Sequence, residues 1–217
     1  MRNPRLRLFC LAVIWVVGLG ALPFLPNPSP IHWNAAGEVD GYGSPLLAAL
    51  LTPAIATLLV VLAPLLPRLD PRGRNYEAFR PTFELFMNGL LLFFTALQLV
   101  TLGYALGWPV SVPRVIGAGV GLLLALIGNE LGRVQPNYFV GVRTPWTLAD
   151  PEVWRRTHRV GGRVFAAVGV LIALTSLLLP LPSLAVLVVA GALGTSIFLV
   201  GYSYWVWRRL TQDVRAP

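Results

Sequence analysis

Apolar residues dominate six stretches of the chain, at about residues 8–25, 46–66, 83–106, 115–131, 164–179 and 184–207. A helix needs roughly 20 such residues to cross about 30 Å of hydrocarbon. The pattern therefore predicts an all-α, polytopic membrane bundle of about six transmembrane helices. The fifth stretch is the shortest, and Pro180 and Pro182 mark a tight turn after it. Pro53 and Pro64 fall in the second, and a bundle tolerates such prolines where neighbours satisfy the freed carbonyls. On the fourth, Gly117/Gly121 and Gly128/Gly132 are small-xxx-small pairs of the kind that lets helices approach closely within one bundle.

Between the apolar stretches the basic residues alternate in density. Arg2, Arg5 and Arg7 precede the first. Arg68, Arg72, Arg74 and Arg80 follow the second, and Arg133, Arg143, Arg155, Arg156, Arg159 and Arg163 follow the fourth. Arg208, Arg209 and Arg215 follow the sixth, which leaves only Arg114 for the other three connections. Arginine-rich segments stay in the cytoplasm, so both termini are expected there and the spans form three hairpins. Trp108 marks an outer edge, and Tyr202, Tyr204, Trp205 and Trp207 an inner one. A basic start with Gly18, Gly20 and Ala21 also suits a signal peptide, but the run is long for its apolar region. One integral membrane domain is expected. Residues 1–66 form a helical hairpin with an outer loop at 26–45, and residues 67–217 a four-helix part with an inner loop at 133–163.

Composition agrees: 56% of residues are hydrophobic and 12% charged, with a net charge of +8. Soluble domains carry about 25% charged residues, so a water-soluble enzyme and a disordered chain are both excluded. The excess of arginine does not mark a nucleic-acid binder, because it is divided among connections instead of gathered on one soluble face. Lipid is the expected partner, and no direct contact with nucleic acid is expected. Cys10 is the single cysteine. His32 and His158 are expected on opposite sides of the membrane, and no HExxH, Walker A or dinucleotide motif occurs. No catalytic set, metal site or cofactor is predicted, and the protein is expected not to be an enzyme.

Three groups of residues exceed what membrane crossing requires. In the outer loop His32, Asn34, Glu38 and Asp40 are close enough in sequence to converge on one point. Carboxylate and amide oxygens suit a hard cation, although the set matches no defined ligand spacing. A compact turn with Asn34 and Asp40 bonded to their own backbone accounts for them as well. Trp33 and Tyr42 would add aromatic anchors to a recognition surface. In the inner loop, Asp150 as N-cap and Pro151 behind it predict a short interfacial helix at about 151–158. Such a helix would turn Trp154 to the acyl boundary and Arg155, Arg156 and Arg159 to phosphates. Asn137-Tyr138 and Thr144-Pro145-Trp146 read as an ordered loop. Within the spans, Glu84 with Asn88 and Asn129 with Glu130 lie toward the inner ends. Ionisable residues there suggest a relay, but their shallow depth suits pairing with Arg80, Arg143 or Arg159. Arg143 is expected to bond Glu130 or Glu84 and to order 137–146, and the more central Gln98 and Thr95 to bond between helices.

The run Ile31-His32-Trp33-Asn34-Ala35-Ala36-Gly37-Glu38-Val39-Asp40-Gly41-Tyr42-Gly43 resembles the N-terminal module of SdpI-type membrane proteins. Gly128-Asn129-Glu130-Leu131-Gly132, Pro136 to Leu148, Glu152-Val153-Trp154 and Thr157-His158-Arg159 resemble the signature of that family's C-terminal half. The resemblance implies a multi-pass immunity protein of the bacterial plasma membrane. It would meet a secreted toxic peptide on the outer face and hold a transcriptional repressor on the inner face. A small transporter exporting a peptide or ion is the competing expectation. It would call for a polar lining through the bundle, where the sequence offers little beyond Gln98, Thr95 and Thr175.

Overall fold

The computed structural model describes residues 4–213; Arg2, Arg215 and the extreme chain ends lie outside them. Six of its helices are long and apolar enough to cross a membrane. They are α1 (Pro4–Ala21), α2 (Pro45–Leu62), α4 (Arg80–Ala105), α5 (Val112–Leu131), α7 (Pro151–Leu178) and α8 (Leu181–Asp213). Two short helices, α3 (Leu66–Leu69) and α6 (Pro145–Ala149), lie in the connections. The expected outer loop is a β-hairpin of β1 (Ser29–Trp33) and β2 (Val39–Gly43), antiparallel, with the register broken around His32. The protein is thus a multi-pass membrane bundle with one small sheet at one end.

Helix starts follow their caps. Ser44 Oγ accepts from Leu47 N ahead of Pro45, and Asp150 accepts from the amides of Glu152 and Val153 ahead of Pro151. The last of these corrects an expectation: residues 151–158 are the first two turns of α7, not a separate interfacial helix. Val153, Trp154, Thr157, His158 and Gly161 are buried there, while Arg155, Arg156, Arg159 and Arg163 are exposed. This amphipathic stripe hides the start of the helix from a search for apolar runs.

The helices form two groups. α1, α2 and α4 pack on one another, α7 packs on α5 and α8, and the groups meet along α4 and α5. In the first group Pro53 cannot donate to the carbonyl of Ala49, and Gln98 Nε2 from α4 donates to it at 2.9 Å. A Cβ on Gly18 would sit 2.5 Å from that carbonyl oxygen, so the glycine makes room for the bond. Gln98 thus bonds between helices, whereas Thr95 bonds back to Leu91 O in its own helix. In the second group the contact is backbone against backbone. A Cβ on Gly121 or Gly128 would lie 2.6 Å from Gly169 O or Gly162 O respectively.

Candidate functional site

The residues singled out by the sequence fall at opposite ends of the bundle. At the hairpin end, Gly37 takes φ +87° at the turn, a conformation that a side chain would strain. Asn34 Oδ1 accepts from Ala36 N and Glu38 N, closing the loop as an Asx turn. The four polar side chains form two pairs and do not converge on one point. Asn34 Nδ2 donates to Glu38 at 3.1 Å, and His32 Nδ1 lies 2.5 Å from Asp40. Asp40 therefore bonds His32 and not its own backbone. Among the described residues no group of three His, Cys, Asp or Glu could hold a metal. The Trp33 ring stands edge-on to Tyr104 of α4 at 5.4 Å, which ties the hairpin to the bundle.

At the arginine-rich end, two connections that are distant in sequence are docked through buried polar groups. Asp70 accepts from Arg72 N and Tyr138 N, both at 2.8 Å, and from the Tyr76 hydroxyl at 3.3 Å. Asn137, fully buried, accepts from Phe139 N, Val140 N and the same hydroxyl, and donates to the carbonyls of Gln135 and Val140. One hydroxyl proton is thus shared between Asp70 and Asn137. Burial first, and then the Asp70 carboxylate, push the Tyr76 pKa up, with the Arg143 charge pulling the other way. Asn75 Nδ2 donates to Pro136 O at 2.7 Å and Arg72 Nη2 to Leu148 O at 2.8 Å. Together these bonds clasp residues 70–76 against 136–148.

The clasp rests on the first turns of α7. Trp154 is 2% exposed, packs with Tyr76, Phe79, Leu131 and Val134, and donates its indole N–H to Val134 O at 2.8 Å. It faces the protein interior, contrary to its expected place at the acyl boundary. His158 stacks on it with centroids 3.9 Å apart. Val142 N donates to His158 Nε2 at 3.0 Å, so Nδ1 carries the proton and donates to Trp154 O at 2.9 Å. The loop lies this close because Gly141, at φ +113°, has no Cβ to run into His158. Thr144 caps α6 and lies 3.0 Å from Ser203 Oγ, and the Trp146 ring lies 5.0 Å from that of Tyr204. Both contacts fix the loop to α8.

The acidic residues of the spans have local partners. Arg143 donates to Tyr138 O at 2.8 Å, not to a carboxylate as expected. Arg133 holds both oxygens of Glu130 at 2.8 Å, with Thr82 and Asn129 as further donors. Arg80 holds Glu84 at 3.2 Å, and Arg7 of α1 donates to Asn88 at 3.0 Å. Arg155 and Arg156 both bond Glu152 at 2.6 Å, and Arg159 is exposed. Asp70, Tyr76, Thr82 and Ser203 were not singled out by the sequence. Asp70 did carry a signal, as the one acid among Arg68, Arg72 and Arg74.

Comparison with known proteins covers both ends. Residues 133–203 match the model of the SdpI/YfhL protein family, and residues 9–57 match that of a domain of unknown function, DUF1648. The chain is 30% identical over 153 residues to the immunity protein SdpI of Bacillus subtilis strain 168, covering 70% of this chain and 71% of that protein. No solved structure matches. With its six spans and both matched segments in order, the chain belongs to the SdpI family.

Proposed function

We propose that this protein is an immunity protein that protects its cell from a secreted, membrane-active peptide. The relationship to a named immunity protein across 70% of the chain carries the reading. The segments matched by family models, 9–57 and 133–203, contain the hairpin and the docked loop respectively. In this reading the arginine-rich end is cytoplasmic and the hairpin faces outward, where a secreted peptide arrives first. Protection is by binding, without chemistry. His32, Trp33, Asn34, Glu38 and Asp40 form the outer contact, and the loop held by Asn137, Thr144, Trp146, Trp154 and His158 presents Arg143 and Arg159 to a soluble repressor. Signalling would require toxin binding to favour one bundle arrangement by roughly 1–3 kcal/mol.

The test is survival of a sensitive strain expressing the full chain, challenged with the peptide and compared with an empty control. Protection that falls in His32→Ala and Asp40→Ala at unchanged membrane abundance supports the outer contact. No protection by the wild-type chain at normal abundance overturns the immunity reading. Labelling of Ala36→Cys from outside intact cells checks the orientation, and labelling only after permeabilisation reverses it.

A further inference from the structure

The two helix groups are clasped at the arginine-rich end and part at the hairpin end, where they enclose a cavity of about 580 Å³. This is within the roughly 300–1,000 Å³ of small-ligand pockets. Its walls are residues 47–55 of α2, 94–102 of α4, 113–120 of α5 and 181–189 of α8, and β1 forms its roof. α2 packs on α1 and α4, and α8 packs on α7, α6 and α5, but α2 and α8 share no comparable packing. Leu51, Ile55 and Val189 stand exposed along the gap between them.

Depth identifies the occupant. Each wall is eight or nine residues long, a rise of seven or eight steps, and begins within the terminal turn of its helix at the hairpin end. At 1.5 Å per residue the slot descends about 10–12 Å. The hydrocarbon core is about 30 Å thick, so the slot reaches most of the way through one leaflet and stops. A membrane-spanning helix, from a peptide or from a second copy of this chain, would need a groove of full depth. An acyl chain entering sideways from the leaflet at the hairpin end needs the depth that is present. The ends of the slot match an amphiphile as well. The lower walls are aliphatic and aromatic, while the roof brings His32, Trp33 and Asn34 to the level of a head group. A second hollow of about 350 Å³ between α4 and α5 is lined only by apolar residues and glycine, so it has nothing to hold a head group. We infer that the cavity under the hairpin is a binding site for one acyl chain of a membrane lipid, with the lipid head group held at the β1 rim.

Native mass spectrometry of the full chain, released from detergent after a delipidating wash, tests this. The wild-type protein should retain a lipid-mass adduct. Ala185→Trp should lose it by filling the slot from within, and Leu51→Trp should lose it by closing the gap from the exposed α2 side. Ile197→Trp, at a site 72% exposed and outside the cavity, should keep it. Thermal melting shows which variants are folded, and Leu51→Trp decides should Ala185→Trp fail to fold. A wild-type protein that emerges free of lipid, a retained adduct of peptide mass, or the same adduct in both folded slot variants would each overturn the assignment.

Discussion

The two helix groups are joined by different means. α1, α2 and α4 meet mainly through side chains; where Gly18 of α1 lies against the Ala49 carbonyl, a glutamine from α4 satisfies that proline-orphaned group. α5 and α7 meet through bare backbone, glycine facing glycine. A side-chain interface can adjust rotamers when a residue changes, whereas a backbone interface has nothing that can move aside. Away from Gly18, the first group should therefore tolerate substitution in graded steps, and the α5–α7 seam hardly at all.

The largest effect is expected at the seam. Gly121→Leu and Gly128→Leu should cost about 3 kcal/mol or more, because the overlap is with the α7 backbone. Gly20→Ala in α1 of the first group, where a Cβ would meet nothing within 4 Å, should be close to neutral. Thermal melts in detergent measure both. Equal losses in the two sets would erase the contrast between the groups.

Next comes the clasp. Asn137→Ala leaves the Phe139 and Val140 amides without their acceptor and the Tyr76 hydroxyl with Asp70 as its remaining one, and should cost about 2–3 kcal/mol. Tyr76→Phe removes one shared proton and should cost about 1 kcal/mol. The clasp also has a pH limit. Because the folded state raises the Tyr76 pKa above its ordinary 10.0, the phenol's contribution is present in full below that value and is lost as the pH climbs past it. Alkaline melts should show this loss in the wild-type protein and not in Tyr76→Phe. Identical alkaline profiles would remove Tyr76 from the clasp.

A double-mutant cycle sharpens the account of the first group. Gln98→Leu should cost about 1–2 kcal/mol where Pro53 is present. In a Pro53→Ala background the helix supplies its own donor to Ala49 O, so the same change should cost less. Additive costs would show that the glutamine is not there for that carbonyl. The smallest effect is expected for Arg143→Lys, within about 0.5 kcal/mol, since an ammonium can also donate to Tyr138 O. A loss well above that would show that the planar guanidinium is needed.

The six spans were legible because crossing hydrocarbon imposes a length and an apolar composition that no neighbour can waive. The glycine pairs of α5 were legible too: Gly121 and Gly128 would clash with the α7 backbone if given a Cβ, and one on Gly117 would lie 3.0 Å from the Ser176 hydroxyl. The start of α7 was legible from its Asp150-Pro151 cap, but its continuity with the fifth span was not, since five arginine and glutamate side chains along its first turns broke the apolar run. Nor was the clasp: Tyr76 and Asn137 are 61 residues apart, and neither residue type is unusual in a loop. Trp154 and His158 were singled out, but their direction depends on whether a loop covers them. Only the fold supplies that cover.

The glycine seam also sets an order of events during synthesis. Gly121 and Gly128 leave the ribosome 34 to 48 residues before Gly162 and Gly169, which at about 5–20 residues per second is a wait of roughly 2–10 seconds. Throughout that interval α5, the least apolar of the six spans, must stay in the membrane with its glycine face against lipid. α4, which packs on α5 in the finished fold, has been made by then. A slowed ribosome between the two helices would prolong the time for which that glycine face waits for its partner.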